Sequence, residues 1–126
     1  MKQLLIVTAV IEAGVGLALL CCPSATVALL LGAGLDTPAT VAIGRVAGAA
    51  LLALGVACWL ASSDAHSHAG RGLTIAMVLY NLGAVIILAV AGTQAQPVGV
   101  ALWPAVGLHA AMTAWCVTCL VRAKGT

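Results

Sequence analysis

Apolar residues fill four long blocks of the 126-residue chain, at about 4–20, 41–61, 73–91 and 104–122, and polar residues gather mostly between them. A helix needs roughly 17–25 apolar residues to cross the hydrocarbon core of a bilayer. All four blocks meet that length, so the pattern predicts four spans. The first connection, "CCPSATVALLLGAGLDTP", contains a fifth apolar stretch at about 24–31 that is too short to cross. Pro23 ends the first span or opens a new helix. The stretch after it reads as an interfacial or re-entrant helix, stopped by "GAGLDTP". "ASSDAHSHAGRG" is a polar turn between spans two and three, and "GTQAQPVGVALW" joins spans three and four. Pro104 suits the first turn of the last helix, with Trp103 at the membrane interface. The predicted fold is all-α: one transmembrane domain over residues 1–126, a four-helix bundle with a short helix between spans one and two.

Composition supports the bilayer setting. Hydrophobic residues make up 63% of the chain and charged residues 6%, against about 25% charged in an average soluble domain. Eight charged side chains cannot coat a soluble fold. There is no Phe, one Tyr and three Trp, so packing must rest on Leu, Val, Ala and Gly. Small residues let helices approach closely, which is how helices associate in lipid. The net charge of +2 is too small to argue for nucleic acid. No basic tract, phosphate loop or nucleotide fingerprint appears, and no cofactor is expected.

Lys2 before an apolar run also fits a signal peptide, but Glu12 in the middle of the run argues against one. A lipoprotein would use Cys21 or Cys22, and Leu20 and Cys21 are poor residues to precede a cleaved lipidated cysteine. With the N-terminus inside, Lys2, Arg71, Arg122 and Lys124 all fall on the cytoplasmic side. The outer connections then carry only Asp36. That is a positive-inside pattern with both termini cytoplasmic. "EAGVGLAL" resembles "NLGAVIIL" and "AIGRVAGA" resembles "AVGLHAAM", a weak trace of internal repetition in a sequence where chance similarity is expected.

Each span carries one strongly polar residue: Glu12, Arg45, Asn81 and His109. A charge in hydrocarbon costs about 2.5–3.5 kcal/mol on insertion scales, so it faces the bundle interior or a cavity. At about 1.5 Å per residue, Glu12 and Asn81 lie near the midplane. Arg45 and His109 lie roughly 7 Å from the outer ends of their helices by the same rise. The four are therefore expected in one layer. Thr8, Glu12 and Gly16 share a helical stripe. Gly44 and Gly48 flank Arg45, while His109, Thr113 and Cys116 share a face, as do Thr74 and Asn81 with Tyr80 beside them. Arg45 is the only cation within a span, so the expected arrangement is a Glu12–Arg45 ion pair. The pair either fixes helix register or forms the heart of a ligand or ion site. Alternatively, Glu12 faces a partner subunit.

Five cysteines raise thiol or soft-metal chemistry. "CVTC" at Cys116 and Cys119 lies mid-helix, unlike a redox pair at a helix N-terminus. Cys21 and Cys22 could bridge each other only with strain, and Cys58 is an ordinary small apolar residue for a membrane helix. Asp64, His66 and His68 in "DAHSHAGR" could catch a metal on an extended segment, but three ligands in a turn with no fourth more often mark solvated polarity. Trp103 and Trp115 read as interface anchors or packing.

Four likenesses bear on function. "VIEAGVG" is similar to the first span of small multidrug resistance transporters, which carry a mid-membrane Glu, but their substrate-site aromatics and span-four dimer motif are not visible. Fluoride channels are of similar length, but their Phe boxes are impossible here. The vicinal cysteines are similar to those of mercury-transport membrane proteins in the pair alone. The whole plan resembles the DoxX-like group of small bacterial membrane proteins, through "GVGLALL", Pro23 with its short apolar helix, and "GRVAGAALLALGVACW". That resemblance implies a four-helix bundle of the bacterial inner membrane and assigns no residue a role. The expected function is non-enzymatic. It is binding of a small molecule or lipid, or support of a homo-oligomer or larger membrane assembly. A proton-coupled transporter using Glu12 is the competing class, and a thiol-redox or soft-metal protein a third.

The charge bias makes one prediction. A membrane-impermeant thiol reagent added from outside should modify Cys21 or Cys22 before Cys119, and the reverse order would sink the N-in, C-in orientation.

Overall fold

The computed structural model describes residues 1–94 and 97–123. Lys124, one of the basic residues behind the predicted orientation, lies outside them. The described residues hold five α-helices and no strand: α1 Lys2–Cys21, α2 Pro23–Leu31, α3 Pro38–Ala61, α4 His68–Gln94 and α5 Leu102–Arg122, with a 3-10 turn at Ser62–Asp64. The long helices outrun their apolar blocks, and local capping marks the starts of two of them, α3 and α4. α3 starts at Pro38, where a missing N–H costs nothing. Thr37 and Thr40 cap each other there, each backbone N–H donating to the other's hydroxyl at 3.1 Å, a reciprocal box built from two threonines. Ser67 caps α4 by accepting from the Gly70 N–H at 3.0 Å.

Pro23 both ends α1 and opens α2, with Cys22 as the hinge at φ −133°, ψ 59°. α2 then stops at Gly32, whose φ of +78° is in the left-handed region that favours glycine. Residues 97–101 lie across the end of α2. The N–H of Gly99 donates to the Leu30 carbonyl at 3.2 Å and that of Ala101 to the Leu29 carbonyl at 2.9 Å. Carbonyls left orphaned at a helix C-terminus are thus satisfied by a distant loop, and the short helix is held over one end of the bundle.

Four helices are long and apolar enough to cross a membrane. α1, the shortest, has 20 residues, about 30 Å at the α-helical rise. The outer face carries large apolar side chains: Ile43, Val46, Leu79 and Ile87 are each roughly two-thirds exposed. This distribution is the inverse of a soluble domain's.

The helices pack as two antiparallel pairs, α1 with α3 and α4 with α5. The first pair is joined backbone to backbone. A Cβ added at Gly48 would sit 2.8 Å from the Gly16 carbonyl oxygen and 2.9 Å from the Leu20 nitrogen. One added at Gly55 would sit 2.9 Å from the Ala13 nitrogen, and one at Gly16 2.7 Å from that of Leu52. Larger side chains join the two pairs. Leu4, Leu5 and Ala9 of α1 pack with Cys58 of α3, Met77 of α4, and Met112 and Cys116 of α5. This core lies toward the end that carries Lys2 and Arg122. α3 and α4 touch only sparsely, and away from that core the pairs part.

Close approach of α1 and α3 sets a direct test. Gly48→Ala should cost about 1–3 kcal/mol through overpacking, read as unfolding in detergent. Gly14 meets nothing within 4 Å of its would-be Cβ, so Gly14→Ala should be neutral or stabilising by up to about 1 kcal/mol. Equal effects from the two would refute the seam.

Candidate functional site

Packing α1 against α3 through Ala9, Ala13 and Gly16 fixes the rotation of α1. The stripe of Thr8, Glu12 and Gly16 is buried, and Glu12 is turned toward α4. Its side chain is only 3% exposed. Its one hydrogen bond among the described residues comes from Tyr80, whose hydroxyl donates to Oε2 at 3.2 Å. Tyr80 stands edge-on to His109 of α5, with ring centroids 5.7 Å apart and planes at 82°, a favoured aromatic geometry.

Asn81 completes the chain. Its amide nitrogen donates to the Met77 carbonyl at 2.7 Å, which turns Oδ1 toward His109 Nδ1 at 2.8 Å. Oδ1 can only accept, so Nδ1 carries the proton and Nε2 of the neutral ring is an acceptor. Thr113 donates to the His109 carbonyl at 2.8 Å, and Thr74 to that of Gly70 at 2.9 Å. Both are turn-to-turn bonds within their own helices. Thr8 is the exception: its buried hydroxyl oxygen has no partner among the described residues.

The expected pairing with Arg45 is corrected here. Arg45 is exposed, and Glu12 takes its hydrogen bond from Tyr80. Two physical reasons keep Arg45 away. Gly55 stands level with Ala9 and Ala13, and Arg45 is about 15 Å farther along α3 at the helical rise. Gly44, Gly48 and Gly55 also define the buried face of α3, and Arg45 lies about 100° around the helix from Gly44. The expected four-residue layer therefore loses Arg45, gains Tyr80 and keeps Glu12, Asn81 and His109.

Two adjoining cavities open from this chain. One of about 100 Å³ is lined by Glu12, Tyr80 and His109 with Val15, Leu30 and Leu88. The other, about 400 Å³, shares Val15, Leu30, Tyr80, Leu88 and His109 and continues along Leu79, Gly83 and Ile87. Its volume falls in the range of about 300–1,000 Å³ typical of small-molecule sites. Exposed Leu79 and Ile87 bring this groove to the outer apolar face. The apolar wall was absent from the sequence candidates. Its one readable signal is α2, too short to cross, whose Leu30 reaches back over Glu12.

The five cysteines are free thiols. Cys58 and Cys116 belong to the apolar core, Cys119 is half-buried, and Cys21 and Cys22 are exposed. Among the described residues, no three His, Cys, Asp or Glu side chains are grouped to hold a metal, so Asp64, His66 and His68 do not converge. Trp59 and Trp103, near the last turn of α3 and the first of α5, are more than half exposed, as interface anchors are. No family model, curated protein or solved structure matches the chain.

A pair of double-mutant cycles separates the observed partner from the expected one. Glu12→Leu combined with Tyr80→Phe should be non-additive by about 0.6 kcal/mol or more, the average for hydrogen bonds between membrane helices, whose maximum is about 1.7 kcal/mol. Glu12→Leu combined with Arg45→Met should be additive within about 0.5 kcal/mol. Coupling to Arg45 alone would overturn the assignment.

Proposed function

We propose that the chain is a non-enzymatic, multi-pass protein of the bacterial inner membrane, with both termini cytoplasmic, that binds a small lipophilic molecule between its two helix pairs. The observation that carries this reading is the meeting of a buried carboxylate with a cavity. Glu12 has a single hydrogen bond and lines an enclosed space that runs into an apolar groove. An intramembrane ionisable residue is costly and usually functional. A carboxylate that served only to fix helix register would have its partners supplied by the protein. The basic residues at the ends of α1 and α5 and in the first turn of α4 support the orientation. Entry is lateral, from the acyl-chain region, through the groove beside Leu79 and Ile87.

Proton-coupled transport is the second reading, and the same carboxylate favours it. In that mechanism Glu12 exchanges a proton for substrate, and the α2 cap moves, with its Leu30, to open the site toward the outer face. Proton uptake on ligand release in proteoliposomes distinguishes transport from binding.

Gly83 tests the binding site itself. Its would-be Cβ meets nothing within 4 Å, so Gly83→Leu should fill the groove without disturbing the fold. Native mass spectrometry of polymer-extracted protein should find a bound lipophile on the wild type and not on Gly83→Leu. An identical ligand load on both would refute a site in this groove.

A further inference from the structure

We infer that the site takes a lipophilic amine in its cationic form, with the ammonium against Glu12 and the hydrocarbon in the groove. The inference rests on the binding site proposed above and specifies its ligand.

The donor inventory of the cavity decides the chemistry. Tyr80 has one hydroxyl proton, spent on Glu12 Oε2. Neutral His109 has one ring proton, spent on Asn81. Glu12, ionised once a cation stands against it, has none. What remains toward the cavity is acceptors: Glu12 Oε1, His109 Nε2 and the lone pairs of the Tyr80 oxygen. Oε1 and Nε2 make no hydrogen bond among the described residues, and both side chains line the cavity. A ligand carboxylate or phosphate would meet only lone pairs and a like charge. A neutral alcohol brings one donor and no charge. An alkylammonium brings three donors and the missing countercharge.

Electrostatics points the same way. A lone carboxylate away from water is penalised unless it is paired and hydrogen-bonded. The protein's own intraspan cation, Arg45, is exposed and out of reach. The space beside Glu12 is about 100 Å³, room for an ammonium and its first methylenes but not for a bulky polar head. The adjoining groove of about 400 Å³ is walled by Val15, Leu19, Leu51, Leu79 and Ile87, which suits a chain or hydrocarbon ring. The face of Tyr80 adds a cation–π surface at the junction.

Octylamine, 1-octanol and octanoate share a tail and differ in the head. Each is titrated into the full chain in phosphatidylcholine nanodiscs, read by the thermal midpoint and by the imidazole nitrogen resonances of selectively labelled His109. Octylamine should bind saturably, at least tenfold more tightly than octanol, with octanoate weaker still. Glu12→Gln should remove the preference for amine over alcohol, and Gly83→Leu should weaken every ligand that binds. If Glu12→Gln fails to fold, the head-group order on the wild type remains the test. Octanol or octanoate binding as well as octylamine would overturn the amine assignment and leave the binding site standing. No perturbation of His109 by any of the three, or binding indifferent to Gly83→Leu, would overturn the site and the assignment together.

Discussion

Contact between the backbones of α1 and α3 governs the rest of the molecule. In lipid no hydrophobic drive pushes helices together, so close packing must supply the attraction. Gly16, Gly48 and Gly55 let main chain meet main chain at distances a Cβ would forbid. Once that seam forms, α1 cannot rotate. Glu12, one turn from Gly16, must then face α4 and α5. A carboxylate that could have turned toward the outer apolar face or toward Arg45 is held in the bundle by glycines that never touch it.

The second helix pair is organised around this fixed carboxylate. Between the pairs, contacts are made by Leu, Met and Cys side chains, concentrated toward one end. Toward the other end the polar chain Glu12–Tyr80, with Asn81–His109 beside it, ties α1 to α4 and α4 to α5. α2 and the loop over it cover that end through backbone hydrogen bonds. The cavity is a consequence of this division. Small residues close one seam, large residues close one end of the other, and the remaining space lies beside the only buried acid.

Hydropathy alone gave the number of long helices, the short helix after Pro23 and its stop before Asp36, because each depends on local chain physics. The stripe of Thr8, Glu12 and Gly16 was equally legible, since helical period places all three on one face. The partner of Glu12 was not. Depth along a helix can be counted from sequence, but rotation about its axis depends on which face the neighbouring helix takes. Charge and approximate depth alone point to Arg45. Gly44 and Gly48 already held the contrary signal: they mark the buried face of α3, and Arg45 lies well off it. Tyr80 was read as a neighbour of Asn81, whereas its hydroxyl reaches across to the first helix, a contact no within-helix spacing reveals.

Separating Arg45 from Glu12 also changes what the buried charge means. A Glu12–Arg45 pair would have been complete, with each charge answered inside the protein. Tyr80 answers only part of Glu12. One hydroxyl satisfies one of two carboxylate oxygens and supplies no countercharge, while the imidazole nearby has turned its proton toward Asn81. Replacing a salt bridge by this arrangement leaves a cavity whose free polar atoms all accept. A purely structural network tends to saturate its donors and acceptors, because a half-satisfied buried network is worse than an apolar core. Here the unsaturation is confined to the atoms that line empty space, apart from the Thr8 hydroxyl one turn below Glu12. That confinement is what favours the proposed binding site over imperfect packing, and it follows from the same glycine seam that fixed the direction of Glu12.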